Sequence, residues 1–183
     1  MLVKIKRQAC LDKYPKFPQS DNKKEVFLFP KTINSYILSF ESKSTRGQSK
    51  LVSQLLNEIV DGLNYNHLIF LGDYKRPWLY QDNSYKPVKR AIQYLTDNKV
   101  SKNFDGGLLI DGDNLSEFSR HVYWLVRCNA ALPVLNFMDE EQNIVGNICH
   151  YGNIHISTLN KKTDKRLTVI IDKSDFIITK SVC

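Results

Sequence analysis

Residues 114–156 read NLSEFSRHVYWLVRCNAALPVLNFMDEEQNIVGNICHYGNIHI, and they decide the fold class. Leu115, Phe118, Val122, Leu125 and Val126 recur at three- and four-residue spacing. That is the inward stripe of an amphipathic helix. Pro133 disfavours helical backbone at Leu132, so the helix ends before it. Two strands follow, Pro133 to Met138 and Ile144 to Tyr151, around the acidic turn that starts at Asp139. Tyr151-Gly152-Asn153 then turns the chain into a third strand, Ile154 to Thr158. These connections are too short for parallel crossovers, so the strands form an antiparallel meander.

Upstream, Leu51, Val52, Leu55, Leu56, Ile59, Val60 and Leu63 give one wide apolar face, a helix from about Ser49 to Leu63. Gly62 and Asn64 are its stop signals. His67 to Leu71 is a short apolar run between turn signals, as in a buried strand. Pro87 opens a second helix at the favoured first position, with Val88, Ala91, Ile92 and Leu95 inward and Lys86, Lys89 and Arg90 on a solvated face. Leu108 to Ile110 is a strand. Asn114 with Glu117 three residues on resembles a capping box for the third helix. Met1 to Gln8 alternates apolar and basic residues, a half-exposed strand. Cys10 to Lys24 carries Pro15 and Pro18 and reads as a loop. Val26 to Phe29 and Ile33 to Phe40 read as strands.

Downstream, Asn160 to Arg166 reads as a basic hairpin loop, and Leu167 to Ile171 and Phe176 to Thr179 as closing strands. The expected architecture is α+β: a mostly antiparallel sheet of about six or more strands with three helices packed on it. One domain over residues 1–183 accommodates this, with residues 1–24 as a possible N-terminal strand and loop arm.

No apolar run approaches the roughly 20 residues of a membrane span. The basic start lacks the apolar stretch of a signal peptide. The expected compartment is therefore the cytoplasm, with no membrane partner. Cys10, Cys128, Cys149 and Cys183 are widely spaced, and without a secretory signal they read as free thiols. The net charge of +7 points to an anionic partner, but its distribution matters more. Between Asp105 and Glu141 seven acids face two arginines, a balance of −5, which leaves +12 on the flanks.

Asp111 and Asp113 flank a glycine at a strand end, where they could hold a divalent cation or cap the next helix; EF-hand spacing is absent. His121, Cys128, Cys149, His150 and His155 do not have zinc-ligand spacing. No metal and no cofactor is expected. There is no G-x-S-x-G and no Walker A sequence. His121 could pair with Asp111 or Glu117 in acid–base work, with Arg120 and Arg127 binding phosphate, but no spacing demands it. The expectation is a chain with no catalytic residue.

Two binding surfaces remain. Lys75, Arg76, Trp78 and Tyr80 lie together in GDYKRPWLY, residues 72–80. They read as a nucleic-acid stacking loop, an interface anchor, or rings packed back on the core. Asp139, Glu140 and Glu141 occupy a hairpin tip that should be exposed, and with Asp111, Asp113 and Glu117 they form an acidic rim suited to a basic protein surface. The alternative there is an ordinary solvated turn.

LGDYKRPWLYQ, FDGGLLIDGDNLSEF and the stretch from His121 to Ile156 together resemble immunity proteins of bacterial contact-dependent growth inhibition systems. The likeness covers about half of the chain, from His67 to Ile156. It implies a cytoplasmic, non-enzymatic inhibitor that binds the C-terminal toxin domain of its own system, often a nuclease. The family shares no binding residues, so none carries over by position. A basic chain departs from the acidic inhibitors that basic nucleases attract. The alternative function is nucleic-acid binding through the basic-aromatic loop and Lys161, Lys162, Lys165 and Arg166.

Overall fold

The structure is a computed structural model and describes residues 1–21, 26–72, 76–79, 84–128, 135–174 and 176–179. In chain order the elements are β1 (Leu2–Ile5), α1 (Arg7–Lys13), β2 (Gln19–Asp21), β3 (Val26–Leu28), β4 (Asn34–Ser39), α2 (Thr45–Leu63), β5 (His67–Leu71), α3 (Lys86–Asp97), β6 (Gly107–Asp111), α4 (Gly112–Cys128), β7 (Leu135–Asp139), β8 (Ile144–Ile148), β9 (Ile154–Thr158), α5 (Lys161–Asp172) and β10 (Ile177–Thr179). Eight strands form one sheet in the order β1-β6-β5-β7-β8-β9-β4-β10, and every pairing is antiparallel. β2 and β3 pair separately. The α+β class and the meander β7-β8-β9 agree with the sequence expectation.

Among the described residues the helix count differs, five against the three expected. Asn160–Arg166 and Leu167–Ile171 are not a loop and a strand; they are α5. The Asn160 side chain accepts the Thr163 amide at 2.8 Å, an N-cap. Thr163, Leu167 and Ile171 then fall four apart on one buried face. The β-branched residues Val169, Ile170 and Ile171 imitate a strand locally, but the four-residue period wins. Within the expected loop from Cys10, α1 extends to Lys13, with Cys10 buried inside it and Tyr14 and Phe17 buried just beyond its end.

Helix boundaries also move. α2 begins at Thr45, because the Ser44 side chain accepts the Gly47 amide at 3.0 Å. Asn64 ends it in the left-handed conformation, as its stop signal implied, while Gly62 lies inside the helix. α4 begins at Gly112, not Asn114. The Asp111 carboxylate accepts the Asn114 amide at 3.0 Å, so Asp111 is the cap and the Asn114–Glu117 box does not form.

The sheet has two faces, and the strands alternate between them. Leu68, Phe70, Leu108, Ile110, Leu135, Phe137, Ile154 and Ile156 face the core under α2, α3, α4 and α5. Ile69, Leu71, Met138 and Val145 point the other way, onto Cys10, Tyr14 and Phe17. Phe70 anchors the larger core, 4.7 Å from the Phe118 ring and 5.9 Å from the Phe137 ring. Gly146 sits opposite Phe137 in register, and a Cβ there would collide with the Phe137 ring and the His155 carbonyl. The α2–α4 pair is the most extensive helix contact, with α3 against α4 and α5 against α2. No helix of the described residues is long and apolar enough to cross a membrane.

Candidate functional site

The acidic turn is built into the fold. Asp139 is fully buried, not exposed at a tip as expected. As the first turn residue it folds its carboxylate back over the chain. It accepts backbone N–H groups from Asn143 at 2.7 Å, Ile144 at 2.8 Å and Glu141 at 3.1 Å. Burial pushes its carboxyl above the usual range, and those amides oppose the shift. Glu140 lies 2.8 Å from His67 Nδ1 and 4.0 Å from Lys13 Nζ. Glu141 accepts the Asn143 side-chain amide at 3.0 Å. Asp111 is the helix cap and also meets the Met1 amino group. Four of the six rim acids are therefore engaged by their own chain.

The basic-aromatic loop also comes apart. Trp78 is 1% exposed. Its Nε1 donates to the Gly106 carbonyl at 2.9 Å, and its ring lies 6.2 Å from Phe118. It is a core residue, so it cannot stack on a base without unfolding its surroundings. Arg76 is exposed. Lys75 and Tyr80 lie outside the described residues.

The two remaining rim acids, Asp113 and Glu117, lie in a cleft of about 700 Å³ between α2, α3 and α4. The first turns of α2 supply Arg46, Ser49 and Lys50. Tyr85, Lys86 and Arg90 come from the start of α3. On α4, Asp113, Glu117, Arg120, His121 and Trp124 repeat at three- and four-residue steps and share one stripe. Five permanent cations thus face two carboxylates in one concave site. Among the described residues no ion pair engages Arg46, Lys50, Lys86, Arg90 or Arg120. Arg120 Nε donates to the Ser116 carbonyl at 3.0 Å, which aims it along the helix.

Aromatic surfaces accompany the charges. Tyr85 and Trp124 meet edge to face at 5.9 Å, and the His121 ring stacks on Tyr94 at 4.4 Å. Burial holds the His121 imidazole below its ordinary value; Glu117 opposes this, and Arg120 and Arg90 reinforce it. Burial, with Glu117 and Asp111 nearby, pushes the Tyr94 hydroxyl up to about 12, so it remains a neutral ring.

The placement of the cations runs against helix stability. Neither α2 nor α3 has an acid in its first turn. Arg46 and Lys86 stand there instead, at the positive end of the helix dipole, which disfavours cations by about 0.3–1 kcal/mol each. Arg46–Lys50 and Lys86–Arg90 are also like-charge pairs four apart, each unfavourable by about 0.2–0.5 kcal/mol. Local rules broken together at one concave place make this cleft the candidate site. The sequence reading passed over these residues. The apolar spacing places Lys86, Lys89 and Arg90 on a solvated face and starts the α2 helix only at about Ser49. Bases without acids at two helix starts were the available signal.

Among the described residues, no group of three or more His, Cys, Asp and Glu side chains is placed to hold a metal ion. No described cysteine is in a disulfide. Cys10 is buried against Gly107, and burial pushes its thiol up to about 11, so it packs as a small apolar group. No protein-family model, no curated protein and no solved structure matches this chain.

Proposed function

We propose that this chain is a non-enzymatic binding protein that neutralises the toxin domain of a contact-dependent growth inhibition system, with the cleft between α2, α3 and α4 as its contact surface. The observation that carries the surface is the set of cations at the starts of α2 and α3, which oppose their own helix dipoles in a concave site. The likeness of residues 67–156 to immunity proteins supports the toxin partner and a cytoplasmic place of action. Arginine, tryptophan and tyrosine are the usual anchors of tight protein interfaces, and the cleft holds all three types. The partner's face is then acidic, the opposite of the basic nuclease surface that an acidic rim would suit.

A second reading is binding of a nucleic-acid strand at the same cleft, favoured by cations interleaved with Tyr85 and Trp124. Asp113 and Glu117 weigh against it, because they repel a uniform polyanion. The test is co-expression with the C-terminal fragment encoded by the gene directly upstream. Rescue of cells from the fragment, with a one-to-one complex, supports neutralisation. A harmless or unbound fragment, with nucleic acid copurifying instead, would favour the second reading.

A further inference from the structure

Resting on the cleft as the contact surface, we infer that it receives a single acidic polypeptide segment, two or more carboxylates around one large apolar side chain. The geometry gives each part a place. The cations form two groups on two helices that each pack on α4, Arg46 and Lys50 on α2 and Lys86 and Arg90 on α3. A segment with carboxylates on two sides supplies a partner to each group. Arginine also binds carboxylates through two parallel N–H bonds, which fixes the direction of the segment.

The floor of the cleft selects against phosphate chains. Asp113 and Glu117 lie one helical turn apart on α4, among the cations but without an ion pair to them among the described residues. Two carboxylates repel a polyphosphate, whereas a polypeptide offers them N–H and hydroxyl donors. Mixed sign in the lining thus calls for mixed sign in the ligand. The aromatic wall supplies the third recognition element. Trp124 is half-buried and Tyr85 is half-exposed, and their edge-to-face pair presents apolar surface at the cleft wall. A leucine or aromatic side chain buried there provides the apolar anchor that a purely charged site lacks.

The inference is tested with fluorescein-labelled nine-residue peptides by polarisation at physiological salt. One has a leucine flanked by pairs of glutamates. One replaces the glutamates by lysines, and one replaces the leucine by glycine. A labelled single-stranded oligonucleotide and unlabelled inorganic pyrophosphate as a competitor complete the set. The glutamate–leucine peptide is expected to bind at least tenfold more tightly than the lysine or glycine peptide. Pyrophosphate should displace it poorly, and the Arg46→Glu/Arg90→Glu variant should lose at least tenfold in affinity. The Lys102→Glu variant, outside the cleft, should bind as the parent does. Thermal melting of each variant establishes that it folds. Tighter binding of the oligonucleotide than of any peptide, efficient displacement by pyrophosphate, or no binding of the glutamate–leucine peptide would overturn the inference. A toxin fragment that binds equally well to Arg46→Glu/Arg90→Glu would overturn the cleft inference and leave neutralisation standing. A glutamate–leucine peptide that binds while the fragment does not would sustain the acidic-segment inference and remove the toxin.

Discussion

At the scale of single residues, Asp139 shows why charge alone misleads. A carboxylate in a run of three acids at a hairpin looks solvated. Its position as the first residue of the turn matters more, because from there it reaches the amides that follow. Replacing it by alanine leaves three backbone donors without their acceptor. Asp139→Ala should destabilise the fold by about 3 kcal/mol, read as a fall in the urea midpoint, whereas Glu141→Ala should move it little. The histidines give a second prediction. Burial lowers the folded values of His121 and His155 below the ordinary 6.5. The unfolded chain therefore takes up protons first as pH falls. The stability they contribute is whole above pH 6.5 and is lost as pH drops through 6.5 toward their folded values. Melting temperature should fall between pH 7.5 and pH 5.5. The double variant His121→Phe/His155→Phe should flatten that fall; an unchanged slope would assign it to other groups.

At the scale of elements, the strongest periodicities were legible in the sequence, as were Asn64 at the end of α2 and the capping role open to Asp111, whereas the Ser44 cap and the Asn160 helix start were not. The cores of α2 and α4 and the meander β7-β8-β9 follow from apolar spacing and turn residues. The first turn of α2 depends on Ser44, and that of α4 on Asp111, single hydrogen bonds that a hydrophobic pattern does not reveal. The β-branched run of α5 imitates a strand, while Asn160 marks a helix start. Asn160→Ala should cost about 1 kcal/mol through loss of that cap, seen in thermal melts. The helix starts at the cleft make a sharper prediction. Lys86→Glu and Arg46→Glu each place an acid in the first turn of a helix, which should raise stability by about 0.3–1 kcal/mol. The same substitutions should weaken partner binding. A gain in stability with a loss in binding identifies residues kept for recognition; a loss of both would make them structural.

At the scale of the whole molecule, the charge map read along the sequence rearranges in three dimensions. The acidic centre and basic flanks do not persist as separate regions. Asp113 and Glu117 of the acidic window meet Arg46, Lys50, Lys86 and Arg90 of the flanks in one cleft. No linear reading could join residues 46, 86 and 120, because their meeting depends on how α2, α3 and α4 cross over the sheet. The candidate surface was therefore the least legible part of the chain, and the sheet the most legible. Association through the cleft should weaken as salt rises, because exposed charges are screened. The apolar anchor should leave a residual affinity at high salt, where a phosphate-only site would retain little.

Amide hydrogen exchange on the chain, alone and with the proposed partner, the C-terminal fragment encoded by the gene directly upstream, tests the cleft as the contact surface most directly. Slowed exchange is expected in peptides covering residues 45–50, 85–90 and 113–124, with the Asp139–Gln142 turn unchanged. Protection confined to the acidic turn, with the three helix segments exchanging as before, would contradict it.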